Sequence, residues 1–386
     1  MAALAVAETL VWAGLYYAFP ALIAHWESDL GWAKTEVAGA FTVALVVSAL
    51  TAPLTGRLIE RGHGRAVLIG TAVTGGLLIS ALAFVESRVG FYVVWALIGC
   101  CLAGCLYEPC FAYVTRLLRD GARQVITRIT LIAGFAGTVS FPMANIIADA
   151  FNWRAAAVAF GAVIVVVAVP LFVFGTSARA GPRQAPGDQV RDKEAMRRTL
   201  RRATFWLLAF TFSMVGLTHG IIITHLLPML AERGVPLAMA VLAASMIGPM
   251  QVAGRVGMML VEKRLSMQTI CTISFLFMAG AVLSLMGAGA LPVLLVLFVV
   301  LQGSGYGATS ITRPVVTAEI LGRDGFGAIS GALALCFMTA SAAAPTLAAV
   351  VWTFGGYDLV RLVVLICVAL GAIAFVAATR VARAES

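Results

Sequence analysis

Twelve runs of roughly twenty apolar residues, separated by short charged or Gly/Pro turns, leave this chain few ways to fold. They cover residues 4–24, 38–56, 67–85, 91–114, 128–148 and 155–175, then 204–227, 237–259, 268–288, 292–314, 327–350 and 359–379. A hydrocarbon layer about 30 Å thick takes about 20 helical residues to cross. Within it each backbone N–H and C=O must be satisfied by the segment itself, so continuous runs of this length read as helices. A membrane β-barrel would show alternating segments of about ten residues instead. The composition agrees: 61% of residues are hydrophobic and 12% charged, with a mean hydropathy of +0.98, whereas soluble domains carry about 25% charged residues. The expected class is an all-α integral membrane protein with about twelve transmembrane helices in the lipid bilayer.

The net charge of +9 raises nucleic acid as a partner, but the placement of the charge argues against it. Of the 27 Lys and Arg residues, all but Lys34, Arg88, Arg154, Arg233 and Arg361 fall in alternate loops on the side of the long middle interval. That asymmetry orients a chain with its basic loops toward the cytoplasm. The expected location is a cell (inner or plasma) membrane, multi-pass, with both termini cytoplasmic. The seven cysteines, Cys100, Cys101, Cys105, Cys110, Cys271, Cys336 and Cys367, all lie in apolar segments, which implies no disulfide framework. The first apolar run lacks a preceding basic region and contains Pro20, so it reads as a retained span rather than a cleaved signal.

The chain also repeats itself. Leu58-Ile59-Glu60-Arg61 recurs about 200 residues later as Leu260-Val261-Glu262-Lys263. Gly14-Leu15 matches Gly216-Leu217, Thr115-Arg116 matches Thr312-Arg313, Pro142 matches Pro345 and Phe151 matches Phe354, in order along the chain. A charged loop that returns at a near-constant offset between apolar spans marks one unit built twice. Two pseudo-symmetric six-helix bundles are expected, at residues 1–175 and 204–386. A basic cytoplasmic linker occupies 176–203, where Arg197, Arg198, Arg201 and Arg202 carry i, i+4 spacing.

Two six-span halves, a basic middle loop and the sequence Gly56-Arg57-Leu58-Ile59-Glu60-Arg61 together resemble the major facilitator superfamily over essentially the whole chain. The family's pattern after the second span has Asp where this chain has Glu60, and its later Gly-Arg lies one place on, at Gly64-Arg65. The resemblance implies alternating access around a central substrate site. Two stretches are similar to the monocarboxylate and oxalate/formate transporters: Tyr17-Ala18-Phe19-Pro20, and Gln251-Val252-Ala253-Gly254-Arg255. Where that branch has a lysine after the proline and an aspartate in span 8, this chain has Ala21 and Gln251. Arg255 remains, which implies that the anion-binding role carries over while the branch's manner of proton coupling does not.

Charges without a twin in the repeat are the substrate candidates. Arg255 faces Pro53 in the alignment and lies about 10 Å inside Glu262 at 1.5 Å per residue. Its guanidinium can grip a carboxylate in a bidentate pair, and Gln251, one turn away, can donate to the same anion. The competing reading is a snorkelling arginine. His219, near mid-depth, can titrate or donate, although a membrane histidine such as His225 often only bridges helices. Tyr16, Tyr17, Tyr107 and Tyr306 can line a cavity or simply pack. Glu108, in Tyr107-Glu108-Pro109, is the acid placed nearest mid-span, a candidate for proton coupling at a stretch the proline can unwind. Glu8 is placed nearer the interface. The repeated charges Glu60, Arg61 and Arg116, with Glu262, Lys263 and Arg313, form the expected gating set, as ion pairs that re-form between states or as static anchors.

Cys101 and Cys105, with Met246 and Met250, would suit a soft metal, but small residues at helix contacts explain them more simply. No Gly-rich phosphate loop with its lysine and no hydrolase constellation occurs, so neither cofactor nor enzymatic activity is expected. The reading is a secondary active transporter of a small organic anion, with a monocarboxylate the first candidate, driven by a proton (symport) or by a counter-anion, with one chain sufficient as a monomer. The alternatives are a proton-coupled efflux pump for amphipathic solutes, and a membrane sensor that binds solute without moving it.

Overall fold

The computed structural model describes residues 2–118, 122–176, 196–262, 264–322 and 326–385; the side chains of residues 60, 122–124, 326–328, 384 and 385 lie outside that description. The chain is all-α, with the helices α1 Ala2–Leu30, α2 Lys34–Leu58, α3 Gly64–Ala81, α4 Arg88–Cys105, α5 Tyr107–Leu118, α6 Ala122–Ala133, α7 Ala136–Ala150, α8 Trp153–Gly175, α9 Ala203–Ala231, α10 Leu237–Val261, α11 Met267–Gly287, α12 Pro292–Leu321 and α13 Phe326–Glu385. Eleven stretches of the described residues are long and apolar enough to cross a membrane. The last of these, Ile329–Arg383, runs 55 residues, about 80 Å of helix and more than twice what one crossing takes. It is interrupted at Gly355 and Gly356, whose backbone is not helical, and so supplies two of the expected twelve spans.

Where the sequence anticipates one continuous helix over 91–114, the structure breaks it. Leu106 takes an extended conformation between α4 and α5, as the downstream Pro109 allows, because a proline three residues into a helix needs no upstream carbonyl. Helix α1 is wound as a π-helix over Trp12–Tyr17, a wider turn that is often found where side chains are re-aimed for function. The helix ends are closed by ordinary means. Ser87 accepts from the Gly90 N–H at 3.1 Å, Asn152 from the Ala155 N–H at 2.8 Å, and Ser266 from the Thr269 N–H at 3.1 Å, each satisfying a donor the first turn leaves over.

The described residues divide into two compact units. The first comprises 1–183 with 226–228 and 237–248; the second comprises 184–225, 229–236 and 249–386. The first unit is held by an aromatic core: Phe19 and Phe41 stack at 4.4 Å, flanked by the buried Trp26, Phe91 and Trp95. The second is built on Phe205, Leu208, Phe212, Phe275, Met278 and Phe375.

Each unit also carries an acid that ties its first helix to its last. Asp29 accepts from the Trp153 indole at 2.7 Å and from Arg154 at 2.8 Å. Glu232 accepts from the Trp352 indole at 3.2 Å and from the Tyr357 backbone N–H at 3.4 Å. Asp29 and Glu232 are related by the same offset that aligns Phe151 with Phe354, so the repeat extends to its tertiary fastenings. Arg233 and Arg361 both bond to Asp358, and His225 bridges the Tyr357 hydroxyl and the Pro345 carbonyl at 2.9 Å each, the bridging role a membrane histidine most often has. The seven cysteines are free thiols.

Candidate functional site

In the second unit, the site begins with two glycines. A Cβ at Gly307 of α12 would lie 2.7 Å from the Gln251 Cα, and one at Gly254 of α10 would lie 2.5 Å from the Ser304 Cα. Only glycine permits this approach, and small residues are how helices pack closely where no hydrophobic drive separates protein from lipid. The seam sets the buried side chains of Gln251 (5% exposed) and Arg255 (6% exposed) against α12. The Arg255 Nε donates to the Ser310 hydroxyl at 3.2 Å, and that hydroxyl donates to the Gly307 carbonyl at 2.7 Å.

One residue before Gly307, Tyr306 stacks on His219 of α9, with ring centroids 3.3 Å apart and planes 7° from parallel. His219 is buried and its Nδ1 has no hydrogen-bond partner among the described residues. The structure therefore sets four sequence candidates on two contacts that share α12: Gln251 and Arg255 of α10 on one, and Tyr306 with His219 of α9 on the other. Ser310 joins them and was not anticipated. Its signal was the polar run Thr309-Ser310-Ile311-Thr312 inside an apolar span. A guanidinium with a primary amide, a hydroxyl and a ring nitrogen is a donor-rich set, suited to a carboxylate or another small anion.

In the first unit the π-helical turn of α1 presents Trp12, Tyr16 and Tyr17, all half-buried. Trp12 meets Tyr16 at 5.0 Å and Tyr107 at 4.7 Å, and Tyr107 stacks on Phe111 at 5.1 Å. Tyr16 and Tyr17 meet edge to face at 5.3 Å. This is one continuous aromatic surface, which unites Tyr16, Tyr17 and Tyr107. Glu108 sits at its border in the first turn of α5 and is exposed. The acid that apolar packing surrounds is Glu8 instead, at 0% exposure. Helix α1 begins at Ala2 and carries Glu8 inside the bundle, one turn before Trp12.

The described charged candidates of the expected gate make contacts of their own. Arg116 donates to the Ile59 carbonyl at 2.9 Å, within the turn Ile59–His63, where Gly62 adopts a φ of 97° that favours glycine. The side chain of Glu60, its expected ionic partner, lies outside the described residues, as does Lys263. Arg61 and Glu262 are exposed. Arg313 lays its guanidinium over the Phe337 ring at 4.6 Å, a cation–π contact that the sequence reading did not foresee.

The full length of this architecture recurs in solved structures. The chain superposes on a bacterial homolog of the human lysosomal transporter Spinster, captured inward-facing and occupied, with a TM-score of 0.74 and 14% identity over 98% of this chain and 96% of that one. It superposes on a variant of the nucleoside transporter NupG with a TM-score of 0.77 and 15% identity over 98% and 99% of the two chains. At such identities the likeness is one of fold. No curated protein matches the chain in sequence. The family model of the Major Facilitator Superfamily matches residues 4–345, nearly the whole chain, and with the membrane-length helices it marks the protein as a non-enzymatic membrane transporter. The chain belongs to the Major Facilitator Superfamily.

Proposed function

We propose that the protein is a secondary active transporter of a small organic anion of the monocarboxylate kind that works by alternating access. The observation that carries this reading is the buried set Arg255, Gln251, Ser310 and His219 on Tyr306 in the second unit. A guanidinium in apolar surroundings meets little competition from water, and its planar fork fits a carboxylate with two parallel bonds. Coupling to a proton is assigned to Glu108 and gating to Glu60, Arg61 and Arg116 with Glu262, Lys263 and Arg313, set in a cell membrane with both termini cytoplasmic.

The test is uptake of a panel of short carboxylates into proteoliposomes, with and without an imposed pH gradient. Arg255→Gln should abolish saturable uptake and Arg255→Lys should retain part of it; uptake unchanged in Arg255→Gln removes the anion reading. One observation favours a second reading, efflux of amphipathic solutes: the aromatic surface of Trp12, Tyr16, Tyr17, Tyr107 and Phe111 offers stacking area without charge. Binding without flux in the same vesicles would mark a sensor instead.

A further inference from the structure

Gln302, Tyr306 and Ser310 follow one another along α12 at four-residue steps, which places them on one stripe of the helix, a turn apart. Two other flanks of α12 are taken. A Cβ at Gly307 would meet the Gln251 backbone of α10, and one at Gly305 would lie 3.0 Å from the Ser274 carbonyl of α11. The stripe is covered at Tyr306 by His219 of α9, ring on ring. Hydroxyl groups on these helices satisfy themselves locally: Ser310 donates to the Gly307 carbonyl at 2.7 Å and Thr309 to the Tyr306 carbonyl at 2.7 Å. An amide oxygen has no such recourse, because the N–H groups of a helix interior are already used. Gln302 is 2% exposed and its Oε1 has no hydrogen-bond partner among the described residues, as the Nδ1 of the buried His219 has none.

A buried acceptor without a donor is costly, and proteins seldom keep one unless water or a ligand completes it. The chemistry of the two unsatisfied atoms restricts that ligand. A hydroxyl serves both, donating its proton to Gln302 Oε1 and accepting from His219 Nδ1 in the tautomer that carries the hydrogen there. A carboxylate would set oxygen against oxygen at Gln302. An ammonium would lack a counter-charge: over residues 203–231, 237–261, 267–287 and 292–321 the one acid is Glu319, in the last turn of α12. The opposite end of the stripe is cationic, because the Arg255 Nε donates to Ser310 at 3.2 Å. Along the axis Ser310 lies about 6 Å from Tyr306 and about 12 Å from Gln302, at 1.5 Å per residue.

We infer that the bound anion is a hydroxy acid whose hydroxyl is remote from its carboxylate, with the carboxylate on Arg255 beside Ser310 and the hydroxyl on Gln302 Oε1 and His219 Nδ1. This rests on the reading of Arg255 as the anion site and narrows it to one class of substrate. The stripe of α12 acts as a ruler, so the two polar ends of the ligand must stand about 6–12 Å apart. An α-hydroxy acid is too short to reach both ends. A dicarboxylate is repelled at Gln302, and an amino acid brings a charge that nothing there balances. Gln302 is therefore the residue that sets specificity.

The test is a calorimetric titration of the purified full chain with ω-hydroxy carboxylates of increasing chain length, each beside the unsubstituted acid of the same length. Every added methylene enters both members of a pair, so their affinity ratio isolates the hydroxyl. The hydroxy acid should bind about tenfold tighter where its polar ends span the ruler, and no tighter where the chain is shorter. Gln302→Met keeps the length of the side chain and removes the acceptor, so it should abolish the preference by weakening the hydroxy acid alone. A merely structural role for Gln302 would weaken both members and leave the ratio unchanged. Equal binding within every pair in the wild type, or a preference that survives Gln302→Met, overturns the inference. If Gln302→Met does not fold, the chain-length series in the wild type decides alone. Pairs that bind equally but are lost in Arg255→Gln refute the hydroxyl and leave the anion reading standing; a wild type that binds neither member refutes both.

Discussion

The glycine seam between α10 and α12 gives a prediction with an internal control. At Gly307 an added Cβ would meet backbone atoms of Gln251, and at Gly254 it would meet backbone atoms of Ser304, in both cases well inside contact distance. Backbone cannot rotate out of the way as a side-chain tip can, so the two helices must separate by more than a few tenths of an ångström. At Gly257, on the same helix α10, an added Cβ meets nothing within 4 Å. Gly307→Ala and Gly254→Ala should each destabilise by about 1–3 kcal/mol, the usual cost of overpacking a tight contact. Gly257→Ala should instead stabilise slightly, by about 0.4–1 kcal/mol, because alanine has less freedom to lose in a helix. Thermal unfolding in detergent, followed by size-exclusion recovery, orders the three. The first two should melt a few degrees below wild type and the third at or above it. Because the seam also fixes Gln251 and Arg255 against α12, the first two should weaken carboxylate binding while Gly257→Ala leaves it alone. Equal melting of all three variants would refute the seam as the element that sets the site.

The paired acids can be tested for fastening: Glu232→Gln and Asp29→Asn should each lower the melting temperature, and replacing both should lower it additively, since they sit in separate units and share no partner. His225→Phe keeps the volume but strands the Tyr357 hydroxyl and the Pro345 carbonyl, so a loss of about 1–3 kcal/mol is expected; a variant as stable as wild type would deny His225 its bridging role. Glu60→Gln should slow proteoliposome uptake and leave equilibrium substrate binding intact, and unchanged uptake would remove Glu60 from the gate.

Much of this architecture was legible in advance because the bilayer is an unforgiving solvent. Backbone polar groups without water must close into helices, so twelve apolar runs translate almost directly into spans, and the offset between Glu60 and Glu262 reveals the duplication without any contact being known. The candidate site was half legible. Arg255, Gln251 and His219 stand out as polar residues in apolar runs, but Ser310 hides among threonines and serines that bond to their own helix, and only packing shows which hydroxyl meets the guanidinium. Glu8 and Glu108 illustrate the limit best. Both are acids in apolar segments, and depth along a helix ranked Glu108 the more buried. Burial depends on the direction a side chain takes around its helix and on what lies opposite. The π-helical turn of α1 and the break at Leu106 shift those directions locally. Sequence alone therefore determined the medium, the helices and the repeat, because these follow from local hydrogen bonding and apolar length. The tertiary structure decided which polar groups are enclosed and which of them meet, because that depends on close approaches such as Gly307 on Gln251 between helices distant in the chain.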